Sequence, residues 1–455
     1  MSQALSRCLS KKVVLGIFLL ALGIGFLPQS TQAQTPTDTS TDSVLRTLLE
    51  KIVAIEKEIL GHVMSSAGVA SVEVSTPAEF TALAVASTEP TLTITLNPKE
   101  VLILDTEGEC TTSDTIDLAD QPITAFRRAT NDVLLFTSNS TNIIVSGPTV
   151  NTAVRQGCKS NLVSTWNPNP NTYNGKEWLM AAYKTVGGEI IGFIHNEYHG
   201  EVVKVPTPEV CKRADGEPHK CWQGAVTAVR SLDGGKTFGD IAADRRVFAS
   251  TPYKYINGLG RQGYSMPKVV GKPNDDYIYM FFLATDIPKI GTGSISYNGT
   301  CLARGLGTNG QNWRMWNGSS FSVQDIDPYK NTVTNPEKYL CTPVVAWNMM
   351  SIKYIPKEKM FLAVGYRGKD SVYAISSNLT DWSDPQLFND PTLDADTAGP
   401  GEIWYLSLLD PTSSSVNFDT LEANPYLYYR RDKASGTQVR SSEVLRRRMN
   451  LNFTY

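Results

Sequence analysis

One short element recurs in this 455-residue chain and limits what the chain can fold into. The strand-like run Ala225-Val226-Thr227-Ala228-Val229-Arg230 leads into Ser231-Leu232-Asp233-Gly234-Gly235-Lys236-Thr237-Phe238. Cys301-Leu302-Ala303-Arg304 leads into Gly305-Leu306-Gly307-Thr308 and then Trp313. Val372-Tyr373-Ala374-Ile375 leads into Ser376-Ser377-Asn378-Leu379 and then Trp382. The anchors 231, 305 and 376 stand 74 and 71 residues apart. In each copy a strand stops at a small residue, a tight turn follows, and an aromatic side chain is offered to a neighbouring sheet. From about residue 115 the chain reads as strands throughout, with no convincing long helix. Self-similarity on this scale predicts an all-β fold with its core divided among repeated sheets, a β-propeller with long connecting loops.

Strand groups predict five blades over residues 115–455. They span about 120–147, Trp178 through His199 to Phe238, Met266 to Phe321, Val344 to Phe388, and a last group from Ile403 that includes Tyr426-Leu427-Tyr428-Tyr429. The C-terminal strand Met449 to Phe453 is expected to close the ring. The turn Ser231 to Phe238 fits S-x-D-x-G-x-T-[FW] and resembles the Asp-box of sialidases and other propellers, which implies a structural role for it. Residues 115–455 as a whole resemble the five-bladed propellers of the arabinanase, β-xylosidase and fructosidase type of glycoside hydrolase. The resemblance rests on blade rhythm and on these turns. The N-D-P-N-G and R-D-P motifs of that type are absent, so no catalytic residue is carried over. What it implies is a carbohydrate-active protein working at the central mouth of a propeller.

Two of the four histidines flank a glutamate in Ile194-His195-Asn196-Glu197-Tyr198-His199-Gly200. The preceding run, Glu189 to Ile194, reads as a strand. With period-2 alternation, His195, Glu197 and His199 project from one face at its end. Such a group can do acid–base work or hold a divalent transition metal. The spacing is not that of the helical H-E-x-x-H zinc motif. In a four-stranded antiparallel blade, the end of the second strand shares a face with the starts of the first and third. The turn after the third strand lies on the other face. His195 to His199 are therefore expected at the propeller mouth, away from the Ser231 turn.

Segments that precede inner strands belong to that same face. Trp166 to Trp178 and residues 253–264, with Tyr253, Tyr255, Arg261 and Tyr264, combine aromatics with Asn, Gly and Arg, a composition suited to sugar rings and hydroxyls. Acidic candidates at inner-strand starts are Asp120 and Glu402. Glycosidic cleavage needs two carboxyls, one protonated and one ionised. Glu197, with Asp120 or Glu402 as partner, is the expected catalytic set. His195, His199, Arg127, Trp178 and Tyr264 are expected to bind substrate. No cofactor is expected on this reading. The alternatives are a glycan-binding propeller without catalysis, or a transition-metal site of His195, Glu197 and His199.

The N-terminal region reads differently. Arg7, Lys11 and Lys12 precede the apolar run Val13 to Leu27, and Thr31-Gln32-Ala33 is a plausible cleavage site, so residues 1–33 read as a signal peptide. Residues 34–43 read as a flexible linker, 44–66 as an amphipathic helix, and 67–114 as a small β-rich segment. The helix suits packing on the domain, with oligomerisation as the alternative. Removing residues 1–33 takes the formal net charge from −3 to about −6. That balance disfavours nucleic-acid partners, and a cleaved signal leaves no stable membrane insertion. The remaining six cysteines suit an oxidising, secreted or periplasmic location, with Cys211–Cys221 the expected short-loop pair.

Overall fold

The computed structural model describes residues 90–455, apart from 107–109, 111–118, 130, 138–140, 165, 201–210, 212–220, 242–245, 257–259, 286–297, 308, 391–392, 394–402 and 436–437. The signal peptide, linker and amphipathic helix lie outside the described residues. Strands pair antiparallel within successive groups, and the central ones are buried on both faces. β1 (Thr91–Leu96) and β2 (Glu100–Thr106) come first. Blade one is β3 (Thr124–Ala129), β4 (Asp132–Phe136), β5 (Thr141–Gly147) and β6 (Val154–Val163). Blade two is β7 (Lys176–Lys184), β8 (Ile190–His199) and β9 (Cys221–Ser231), edged by β10 (Gly239–Asp240) and β11 (Val247–Ala249). Blade three is β12 (Gly260–Gly271), β13 (Tyr277–Thr285), β14 (Gly299–Leu306), β15 (Arg314–Trp316) and β16 (Phe321–Val323). Blade four is β17 (Asn348–Ile355), β18 (Met360–Arg367), β19 (Asp370–Ser376) and β20 (Gln386–Leu387). Blade five is β21 (Ile403–Leu409), β22 (Tyr426–Ser435) and β23 (Gln438–Thr454), and its outer places are filled by β1 and β2.

The described residues form an all-β, five-bladed propeller. Its innermost strands touch in ring order, β3 to β7 to β12 to β17 to β21 and back to β3. A separate apolar core fills each seam between neighbouring blades. Phe126 and Phe136 meet Leu179 and Ile194 between blades one and two, and Phe193 and Val226 meet Tyr264 and Phe282 between two and three. Phe281 and Leu302 meet Phe361 and Met349 next, then Leu362 and Val364 meet Leu408 and Leu427. Leu409 and Tyr428 meet Leu135 and Val145 at the last seam. Repetition thus lets a long chain bury its apolar surface without one oversized core.

Closure is made from both ends of the chain. Leu92 pairs with Phe453 and Leu96 with Met449, so the expected C-terminal closing strand runs against β1. The strands β1 and β2 fall within the 67–114 segment and belong to the fifth blade. They cover the edge that β23 would otherwise expose. Blades two and three are also joined directly, because β9 and β12 pair in parallel from Gly260–Cys221 to Gly263–Gly224. A Cβ on Gly263, whose φ is +115°, would stand 2.2 Å from the Gly224 carbonyl oxygen. Only glycine permits that approach.

The recurring turns carry the expected packing. Ser231 Oγ accepts from the Gly235 amide at 2.7 Å, and Asp233 Oδ1 accepts from the amides of Lys236 and Thr237 at 3.0 and 2.9 Å. Ser376 Oγ and Asn378 Oδ1 repeat this with the amides of Leu379 and Asp381, both at 2.8 Å. The aromatic that follows each turn reaches the preceding blade. Phe238 meets Phe136 at 6.1 Å, Trp313 meets Phe193 at 5.9 Å, and Trp382 meets Phe281 at 6.0 Å between ring centroids. Disulfides Cys110–Cys158, Cys211–Cys221 and Cys301–Cys341 pair all six cysteines that follow Cys8.

Candidate functional site

Lys176 pairs with Glu197 across β7 and β8, and His199 pairs with Trp222 across β8 and β9. The start of β7, the end of β8 and the start of β9 therefore meet on one face. Ser231 pairs with Ile190 at the far end of the same strands, so its turn lies on the opposite face. At the first face a cavity of about 520 Å³ opens, lined among others by Asp120, Lys176, Trp178, His195, Glu197 and Tyr405.

Several walls of this cavity depend on bulges. Innermost strands β7, β12, β17 and β21 each carry one extra residue against their partner, between Leu179 and Ala181, Ser265 and Lys268, Met349 and Ser351, and Trp404 and Ser407. A bulge bends the strand and re-aims a side chain. Met180, Met266 and Tyr405 from three of these bulges line the cavity. Met266 and Tyr405 adopt φ of +50° and +60°, strained for non-glycine residues.

Glu197 is held between the two imidazoles. Its Oε2 lies 2.7 Å from His199 Nε2 in a hydrogen bond. Its Oε1 lies 3.3 Å from His195 Nε2, which lacks hydrogen-bond alignment with any partner. The His195 ring stacks on Trp178 at 5.5 Å and meets Trp222 edge-on at 5.8 Å. Burial pushes His195 down to about 4, so the ring is neutral at physiological pH. For Glu197 burial acts upward, but His195, the His199 hydrogen bond and the Trp222 indole outweigh it and hold the carboxyl down at about 2. With His195 neutral near pH 7 its share falls away, and the His199 and Trp222 hydrogen bonds are what favour the ionised carboxyl there.

Asp120 sits before β3, where the Ile123 amide donates to Ser407 Oγ of blade five at 3.1 Å. Blade five also supplies its partners. Tyr405 Oη donates to Asp120 Oδ1 at 2.8 Å and Arg430 Nη1 at 3.2 Å. Trp178 Nε1 donates to Oδ2 at 3.4 Å. Burial pushes Asp120 above the usual carboxylate value, Arg430 and Tyr405 pull it back, and the nearby Glu197 charge pushes it up again. The two carboxyls of the cavity thus titrate in opposite directions.

The expected site residues separate into groups. Asp120, Trp178, His195, Glu197 and His199 line one cavity. Arg127 does not. Its guanidinium lies 4.6 Å over the Phe418 ring and donates to the carbonyls of Ser415 and Ser413, which ties blade one to blade five. Tyr264 is also misplaced as a substrate contact. It is fully buried in the seam between blades two and three, where Cys341 N donates to its hydroxyl at 3.4 Å. Glu402 lies outside the described residues. Among the described residues no group of three His, Cys, Asp or Glu side chains converges as a metal requires. Glu197 instead turns its two oxygens toward the two rings. Lys176, Trp222, Tyr405 and Arg430 were not expected from sequence. A cross-strand alignment of β7 with β8 would have revealed Lys176.

No known protein family and no curated protein matches the sequence. Solved structures align with it over most of its length. A family 117 glycoside hydrolase from the marine bacterium Zobellia galactanivorans aligns over 79% of this chain and 90% of its own, at 8% identity and a TM-score of 0.44. The endo-1,5-α-L-arabinanase of Thermotoga petrophila aligns over 74% and 71%, at 11% identity and TM-score 0.39. An endo-arabinase of Bacteroides thetaiotaomicron aligns over 75% and 97%, at 10% identity and TM-score 0.37.

Proposed function

We propose that this protein binds a carbohydrate at the propeller mouth and hydrolyses a glycosidic bond there. One observation carries the reading. Two carboxyls on different blades, Asp120 and Glu197, line the same aromatic-walled cavity, and their surroundings push them toward opposite protonation states. Glycoside hydrolysis needs such a pair. Glu197, ionised, attacks the anomeric carbon or activates water. Asp120, the carboxyl pushed up, gives a proton to the departing oxygen. Trp178 offers a ring face, His199 holds Glu197 in place by a hydrogen bond, and His195 packs beside it. An exported location is supported by the N-terminal apolar run and the three disulfides.

The test is turnover of a broad oligosaccharide panel by the wild type, Glu197→Gln and Asp120→Asn. Each variant should lose about 100- to 10,000-fold in kcat while retaining its fold. Full activity in Glu197→Gln removes Glu197 from the mechanism. A second reading, a propeller that binds glycan without cleaving it, is favoured by the engagement of Asp120 with Arg430 and Tyr405. Saturable binding with no turnover across the panel would establish it.

A further inference from the structure

The charged groups of the cavity are unequally hydrogen-bonded. Among the described residues, Asp120 faces Arg430 and Tyr405, and Glu197 faces two imidazoles and the Trp222 indole. Lys176 stands directly across from Glu197 in the β7–β8 register, yet forms no ion pair among the described residues. Its Nζ lies 4.5 Å from the Trp178 ring centroid and 5.2 Å from that of Trp166, on the cavity wall. A ring face attracts an ammonium but takes none of its three N–H donors in a strong hydrogen bond. Lys268 on β12 is 5% exposed, its Nζ has no hydrogen-bond partner among the described residues, and burial pushes its amine well below the usual lysine value. Asp120 thus accepts from Tyr405, Arg430 and Trp178, and Glu197 is hydrogen-bonded to His199, while the Lys176 amine on the cavity wall meets ring faces and no hydrogen-bonded anion among the described residues.

We infer that the ligand of this cavity is an anionic sugar, a glycan whose carboxylate or sulfate is read by Lys176 while a ring packs on Trp178. The inference rests on the carbohydrate reading above and adds its substrate class. An anionic group gives the Lys176 donors charge-assisted partners.

Calorimetric titration of the full, oxidised protein tests this with three probes of matched length: an oligogalacturonate, a sulfated galacto-oligosaccharide and a neutral galacto-oligosaccharide. One of the two acidic probes should bind at least about tenfold more tightly than the neutral one. That preference should shrink as salt rises. Which acidic probe wins distinguishes carboxylate from sulfate. Lys176→Gln should abolish the preference. Lys176→Met, which keeps the stem over both rings, replaces the Gln variant should that one melt early. Equal affinity for acidic and neutral probes overturns the anionic class and leaves the carbohydrate reading standing. A preference that survives in the Lys176 variant overturns the assignment to Lys176. Failure to bind any of the three overturns the carbohydrate reading itself.

Discussion

Replacing His195 with Phe should remove most of one proton's worth of acid sensitivity from this protein. The imidazole is 8% exposed and packed between Trp178 and Trp222. Burial lowers it from 6.5 to about 4, with Lys268, His199 and Lys176 acting in the same direction and Glu197 against them. In the unfolded chain the ring takes a proton below 6.5, whereas in the folded chain it does so only near 4. Between those limits the unfolded state binds one more proton, so stability falls as pH falls, by about 1.4 kcal/mol per pH unit. The interval from 6.5 to 4 amounts to about 3 kcal/mol. Glu177 and Asp325, both pushed up to about 7 by burial, titrate in the same window with the opposite sign. The wild-type curve alone is therefore uninformative, and the comparison must be with a variant that keeps those groups. Phe keeps the aromatic stack and cannot titrate. Urea unfolding of both proteins at pH 7, 6, 5 and 4, disulfides intact, gives two curves. The wild type should lose about 3 kcal/mol more than His195→Phe across the series, whatever their offset at pH 7. Parallel curves would refute the buried neutral imidazole, and with it the assignment of His199 and Trp222 as the groups that hold Glu197 ionised.

Two further outcomes probe the scaffold. Gly263→Ala places a Cβ 2.2 Å from the Gly224 carbonyl oxygen at a φ of +115°, and should cost about 2–4 kcal/mol in denaturant unfolding by opening the join between blades two and three. Replacing Cys301 and Cys341 by Ser together frees a loop of 40 residues, and should lower stability by about 4 kcal/mol on the chain-entropy account, read as an earlier melting midpoint.

Local pattern was enough for the blades, because alternation, the Ser231 turn and its aromatic are all encoded within a few residues of one another. It was enough too for His195, Glu197 and His199, since a strand's period of two decides which side chains share a face. Three things lay beyond it. The pairing of β1 with β23 joins residues more than 350 apart in sequence, as Leu92 with Phe453, and nothing near Leu92 announces its partner. Each bulge is a register shift, and one residue decides the face that everything beyond it presents. Met180 and Tyr405 therefore read as ordinary strand positions although they line the cavity. Tyr264 and Arg127 have the composition of sugar contacts, yet one fills a seam and the other spans two blades. Residue type does not separate those uses, and only the surroundings do.

The distance between the two candidate carboxyls is set by the ring and not by either strand. Glu197 belongs to blade two, whereas Asp120 is held in place by blade five through Tyr405, Arg430 and the Ile123–Ser407 hydrogen bond. Blade one lies between them, packed by Phe126 and Phe136 on one side and by Leu135 and Val145 on the other. Interiors packed at crystal-like density transmit small displacements rather than absorb them. A change in either seam therefore alters the span of the cavity without touching a residue in it. The same holds for β1, whose Leu92 lies in the core between blades four and five. Its pairing with β23 keeps the ring closed, so a strand that lines no part of the mouth helps to fix the geometry on which acid and base depend.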